Sequence, residues 1–135
     1  VAAVNSQLVI LVGTIARPKA RYTPNGVLVF SFSLPTHSFY GKGEDRELRT
    51  TWFRVTVFGK RAEICQERLS DGGTVQVVGY LQGDEHGNPR TWQDDNGNVR
   101  SSFDVVARDV TILGKRGSKK GEEKKQQGEG DWIPF

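Results

Sequence analysis

From Gly114 to Gly130 the chain offers no apolar side chain (GKRGSKKGEEKKQQGEG). A stretch of Gly, Lys, Glu and Gln buries too little surface to offset the entropy lost on ordering. Whatever folds is therefore built from residues 1–113, which carry Val, Ile, Leu, Phe and Trp at regular intervals. That length suits one domain. Residues 114–130 read as a disordered linker, and 131–135 (DWIPF) bring back apolar groups beyond it. The same break accounts for a hydrophobic share of only 36% over 135 residues, low for a chain folded throughout. No apolar run approaches the roughly 18 residues of a membrane span. The start, VAAVNSQ, lacks a basic region followed by an apolar stretch, so no secretory signal is expected. A Val start and the absence of Met suggest a processed or trimmed N-terminus. One cysteine, Cys65, excludes an internal disulfide framework, and with only His37 and His86 beside it no zinc spacing exists. A reducing, cytoplasmic setting and no cofactor are the expectation. The net charge of +3 permits a nucleic-acid partner without demonstrating one.

The first 113 residues read as short strands. Gln7–Ile15 (QLVILVGTI) is nearly continuous apolar text rich in β-branched residues. Tyr22–Gly26 is a turn, and in Val27–Leu34 the alternation puts Leu28, Phe30, Phe32 and Leu34 on one face. Residues 37–49 read as a polar loop. Thr51–Phe58 alternates again: Phe53, Val55 and Val57 on one face, Trp52, Arg54, Thr56 and Phe58 on the other. Gly59–Ser70 is the one helical segment, with Ala62, Cys65 and Leu69 as its apolar stripe and Asp71-Gly72-Gly73 as its stop. Thr74–Leu81 is a strand, residues 82–100 form a long protruding hairpin carrying Trp92, and Ser102–Leu113 is the last strand. Three strands, a helix, a strand, a hairpin and a final strand fit an all-β domain with one short helix. The matching architecture is the five-stranded Greek-key barrel of the oligonucleotide/oligosaccharide-binding (OB) fold.

Catalysis finds little support. Gly72-Gly73 lacks the Lys-Ser/Thr of a phosphate loop, no GxSxG elbow occurs, and Cys65 lies in the helical apolar stripe as a small buried hydrophobe. The outward face of Thr51–Phe58 is more telling, because an exposed Trp and Phe flanking an Arg need a cover. Stacked bases would supply one, with Arg54 on phosphate. A subunit interface or a second core layer under the hairpin explains the strand equally well. Other aromatics tip the balance: Phe39 and Tyr40 stand near Lys42, and Trp92 near Arg90. Basic residues beside aromatics on a strand face, a loop and a hairpin suit a groove for single-stranded nucleic acid. Lys19, Arg21, Arg49, Lys60 and Arg100 are further candidates for phosphate. Nothing resembles a basic recognition helix for duplex DNA.

The end of the chain is a second signal. Asp131, Trp132, Ile133, Pro134 and Phe135 form a short apolar peptide on a tether, and QQGEGDWIPF contains two acids and no Lys or Arg. Such a peptide suits capture by a partner pocket, with Phe135 as anchor. The alternatives are docking on its own domain or a vector-derived scar.

The blocks VILVGTIARPKARYTPNG, TTWFRVTVFGKRAEI, TVQVVGYL, RTWQDDNG and the terminal Ile-Pro-Phe together resemble the bacterial single-stranded DNA-binding proteins. The resemblance covers nearly the whole chain. It implies an OB fold, a homotetramer, sequence-tolerant binding of single-stranded DNA, and neither catalysis nor metal. It implies that Trp52, Phe58 and Trp92 stack on bases and that Phe39 stands at a position often Trp. Arg21, Arg54, Lys60 and Arg90 become basic contacts near the DNA path, and residues 131–135 become the tip that recruits replication and repair proteins. The chain departs from the pattern in four places. Trp132 replaces an acid, Phe53 stands where relatives often carry a polar residue near the subunit contact, the linker is short, and 82–89 (QGDEHGNP) looks like an insertion bringing Asp84 and Glu85 toward the DNA path. A second function class stays open: a protein-interaction or primosome-type module using the aromatic face as an interface.

Overall fold

The computed structural model describes residues 4–114. The linker beyond Gly114 and the terminal peptide 131–135 lie outside the described residues. Six strands form one sheet: β1 (Val9–Thr14), β2 (Ala16–Tyr22), β3 (Leu28–Tyr40), β4 (Glu47–Phe58), β5 (Thr74–Leu81) and β8 (Phe103–Gly114). They lie in the order β1-β5-β8-β4-β3-β2. β6 (Thr91–Gln93) and β7 (Val99–Ser101) pair with each other as a separate hairpin, and α1 (Lys60–Arg68) lies between β4 and β5.

The two edge strands, β1 and β2, are separated by a single residue, Ile15. One bent stretch of chain thus serves both edges, and the sheet must roll up for it to do so. Counted that way the barrel has five strands, as an OB fold requires. The ladder itself does not close; the seam is closed covalently. Ile15 is buried, its N–H donates to Gly73 O at 2.8 Å and its carbonyl accepts from Gly72 at 3.0 Å. Gly13 allows the close approach across the seam: a Cβ there would sit 3.0 Å from the Pro35 carbonyl oxygen. The strand 16–22 escapes periodicity because Arg-Pro-Lys-Ala-Arg has no apolar alternation.

On β3 and β4 the interior is the expected face, although Val29 on the other face of β3 is buried as well. Leu28, Phe30, Phe32 and Leu34 of β3 meet Val55 and Val57 of β4, Val75 and Val77 of β5, and Val105 and Ala107 of β8. Ala62, Cys65 and Leu69 join the same cluster from the α1 segment. Burial pushes the Cys65 thiol up to about 11, which suits a packing role and not a nucleophile. Phe53 packs against this core and against Phe103, with ring centroids 5.6 Å apart.

Two segments differ from the sequence reading. Residues 37–49 are not a loop: β3 and β4 stay in register out to Tyr40↔Glu47, forming a projecting two-stranded arm. Both faces of the arm are exposed, so no alternation marks it in the sequence. Ring contacts brace it, with Arg46 at 3.8 Å over Phe39 and Arg49 at 4.2 Å over Tyr40. Residues 82–100 are not one hairpin. A tight turn at 84–88 precedes β6 and β7, whose own turn is 94–98. The turns are built alike: Asp84 Oδ1 accepts from the N–H of His86 and Asn88, Asp94 Oδ1 from those of Asn96 and Asn98. No helix among the described residues is long and apolar enough to cross a membrane.

Candidate nucleic-acid interface

Register alone assembles the outer face of the barrel. Phe58 pairs with Val29, which pairs with Arg21; Thr56 pairs with Ser31, which pairs with Lys19. Arg54 lies between Ser33 of β3 and Asp104 of β8, and Trp52 lies beside Pro35. The row on β4 alternates with the buried Val55 and Val57, so the pleat that fills the core also aims Trp52, Arg54 and Phe58 outward.

Two adjoining hollows cover this face and share Arg54 and Arg90. The larger, about 880 Å³, has Arg17 and Lys19 on one side, Trp52 and Arg54 on the floor, and Trp92, Arg100 and Ser102 of the hairpin region on the other. The smaller, about 300 Å³, runs past Arg21, Thr56, Phe58 and Gln82. Trp52, Phe58 and Trp92 are 46%, 45% and 40% exposed, so all three are about half accessible. Six basic residues (Arg17, Lys19, Arg21, Arg54, Arg90, Arg100) and two acidic ones (Asp94, Asp104) line the pair of hollows.

The cations fall into two groups. Among the described residues, Arg17, Lys19, Arg21 and Arg54 have no carboxylate partner. Arg17 lies 4.9 Å over the Trp52 ring. By contrast, Arg90 Nε donates to Asp104 Oδ2 at 2.9 Å and Arg100 Nε to Asp94 Oδ2 at 2.9 Å. The Arg100 guanidinium, helped by the Asn98 and Asn96 backbone N–H groups, holds the Asp94 carboxyl below its ordinary value.

Of the eight residues that the sequence nominates for DNA, six line this groove: Trp52, Phe58, Trp92, Arg21, Arg54 and Arg90. Lys19 and Arg100 line it too. Phe39 stands on the arm under Arg46, and Lys60 opens α1; neither is in the lining. Arg49 is also on the arm, paired with Glu47 at 2.7 Å. Asp84 and Glu85 do not line the groove: Asp84 is occupied within its own turn and Glu85 lies 3.5 Å from His86. Arg17 and Asp104 escape a sequence reading. Arg17 sits in a β-bulge between Ala16 and Lys19, and bulges leave no periodic signal. Asp104 is placed by its parallel pairing with Arg54, which no local pattern announces.

The arrangement is one concave strip of half-exposed rings alternating with guanidinium and ammonium groups. It can hold flat π-faces and a polyanionic backbone together. Comparisons with known proteins agree with this architecture. Residues 6–113 match the single-strand binding protein family. The single-stranded DNA-binding protein of Neisseria meningitidis serogroup A is 35% identical over 124 residues, covering 90% of this chain and 68% of the relative. The small single-stranded DNA-binding protein of Streptomyces coelicolor superposes with a TM-score of 0.65 at 27% identity, covering 84% of this chain and 100% of the other. A Plasmodium falciparum SSB, solved in complex with ssDNA, shares the fold with a TM-score of 0.64 at 21% identity, over 84% of this chain and 99% of that one. The chain belongs to the single-strand binding protein family.

Proposed function

We propose that the chain binds single-stranded DNA along this groove without reading its sequence. The observation that carries the reading is the groove itself: three half-exposed rings lie in it beside cations that have no carboxylate partner. Trp52, Phe58 and Trp92 offer stacking platforms, and every base presents a π-face, so stacking tolerates sequence. Arg17, Lys19, Arg21 and Arg54 meet phosphates. Phe39 and Lys60 lie outside the lining and serve, at most, a strand that continues beyond it. Residues 1–113 are the DNA-binding domain, 114–130 the tether, and 131–135 the peptide through which replication, recombination and repair proteins are recruited.

The working unit is a homotetramer. Its support is the family together with strand β1, a sheet edge whose outward Ile10 and Val12, with Leu8 just before the strand, are 57%, 39% and 61% exposed. An edge with free backbone groups and an apolar row is a template for a second copy.

The test is a titration with oligo(dT) at several salt concentrations, read by tryptophan fluorescence. Strong quenching and an affinity that falls steeply with salt are expected. Absence of quenching, with the protein folded, would leave the aromatic face as a protein interface instead.

A further inference from the structure

We infer that Arg90 is a positioning residue, a strut that holds Trp92 and the β6–β7 hairpin against the barrel, and not a phosphate ligand. The inference rests on the reading of Trp92 as a stacking platform, and it divides the groove's cations by role.

Arg90 already has three partners, although its side chain is still 38% exposed. Its Nε donates to Asp104 Oδ2 at 2.9 Å, its Nη2 donates to Ser102 Oγ at 3.1 Å, and its guanidinium lies 4.5 Å over the Trp92 ring. The network is closed, because the Ser102 hydroxyl donates to the second Asp104 oxygen at 2.6 Å. The backbone repeats the link, with the Ser102 N–H donating to the Arg90 carbonyl at 3.2 Å. The Asp104 side chain is only 13% exposed, against 38% for Arg90. Moving Arg90 out to a phosphate would strand a largely desolvated carboxylate, the costly way to break such a pair. Asp104 also cancels the charge of Arg90, so no counterion waits there to be released by DNA. The same lock has a use. Residues 91–93 form a strand of only three residues paired with β7 alone, so little besides Arg90 fixes the angle at which Trp92 faces the groove.

The two roles predict opposite signs for one substitution. If Arg90 were a phosphate ligand restrained by Asp104, Asp104→Asn would free it, tighten oligo(dT) binding and steepen its salt dependence. A strut predicts that Asp104→Asn weakens binding severalfold. Arg90→Lys separates the roles again. A lysine keeps the point charge a phosphate needs but loses both the two-pronged fork and the flat face over Trp92. It should bind as weakly as Arg90→Gln, roughly tenfold below the parent, the scale of one lost stacking platform. The control is Lys19→Gln, which should flatten the plot of log K against log salt by about 0.7, the contribution of one single-strand phosphate contact. Arg90→Gln should leave that slope unchanged.

The measurements use the full chain, with thermal melts to confirm folding. Trp92 emission is read in the free protein in a Trp52→Phe, Trp132→Phe background, where Trp92 is the only remaining tryptophan. Arg90→Gln should shift that emission before any DNA is added. The strut is overturned if Asp104→Asn binds more tightly, if Arg90→Lys keeps parental affinity, if Arg90→Gln flattens the slope as Lys19→Gln does, or if Trp92 emission does not move. A parent that fails to bind oligo(dT) would instead overturn the DNA reading, and the emission of the free protein would still report on the strut.

Discussion

Arg17 is the one non-glycine among the described residues with positive φ, at 53°. A left-handed conformation costs an L-residue about 1–2 kcal/mol, and here it occurs in a bulge that turns a guanidinium onto Trp52. Strain and function can be separated there. Arg17→Val should unfold more easily than Arg17→Gly by about 1–2 kcal/mol in urea melts, since only glycine accepts this φ freely. Both should lose the same oligo(dT) affinity, because both remove the cation. A second pair of neighbours makes the same point in sequence. Trp52→Ala should weaken oligo(dT) binding by about 1–3 kcal/mol and leave the fold intact. The Phe53 ring packs against the core but also borders the larger hollow. Phe53→Ala should cost about 2 kcal/mol of stability, less than a fully buried Phe because its ring is only partly covered. It should weaken a short oligonucleotide's binding less than Trp52→Ala does. Equal effects of the two on melting would mean that the alternation of β4 does not divide core from groove.

Among the elements, the sequence made legible those that have an apolar face. The inward rows of β3 and β4 and the stripe Ala62, Cys65, Leu69 could be read because water is excluded from one side of each. The arm, β2 and the hairpin are exposed on both sides or bulged, and period-2 logic has nothing to detect in them. Hence Trp52, Arg54 and Phe58 were findable on an alternating strand, whereas Arg17 is placed by a bulge and Asp104 by a pairing with a strand distant in sequence. Glycine at a bulge is the remaining element-scale device. At the β5 irregularity between Val78 and Gly79, a Cβ on residue 79 would collide with the Val106 carbonyl oxygen. Gly79→Ala should destabilise the barrel by about 3 kcal/mol, at the upper end for overpacking, as read by denaturant unfolding. The hairpin turn carries a pH signature. Because the Asp94 carboxyl is held low chiefly by Arg100, its contribution to stability is complete above the ordinary carboxylate range and is lost as pH falls through the lowered folded value. Carboxyl NMR should find Asp94 titrating below the ordinary value and moving back toward it in Arg100→Gln.

At the scale of the whole molecule, the barrel uses its single covalent seam to keep two surfaces apart. Ile15 divides one stretch of chain into β1, which borders β5, and β2, which borders β3. The β2 half sends Arg17, Lys19 and Arg21 to the groove, while Ile10 and Val12 of β1, and Leu8 just before it, point away from the core. A second copy meeting the β1 edge would therefore leave each groove open, and a strand leaving one groove could continue into the next. Assembly and base stacking should then be separable by mutation. Ile10→Lys, which places a charge in the middle of the apolar row, should reduce the mass found by light scattering without unfolding the barrel. A short oligo(dT) that fills one groove should bind the variant with parental affinity. A long oligo(dT) should bind it more weakly, because linked grooves raise the effective concentration of each next contact. Parent protein that scatters as a 15.0 kDa monomer at micromolar concentration would contradict the assembly. Loss of short-oligonucleotide binding in folded Ile10→Lys would show that the two surfaces are not independent.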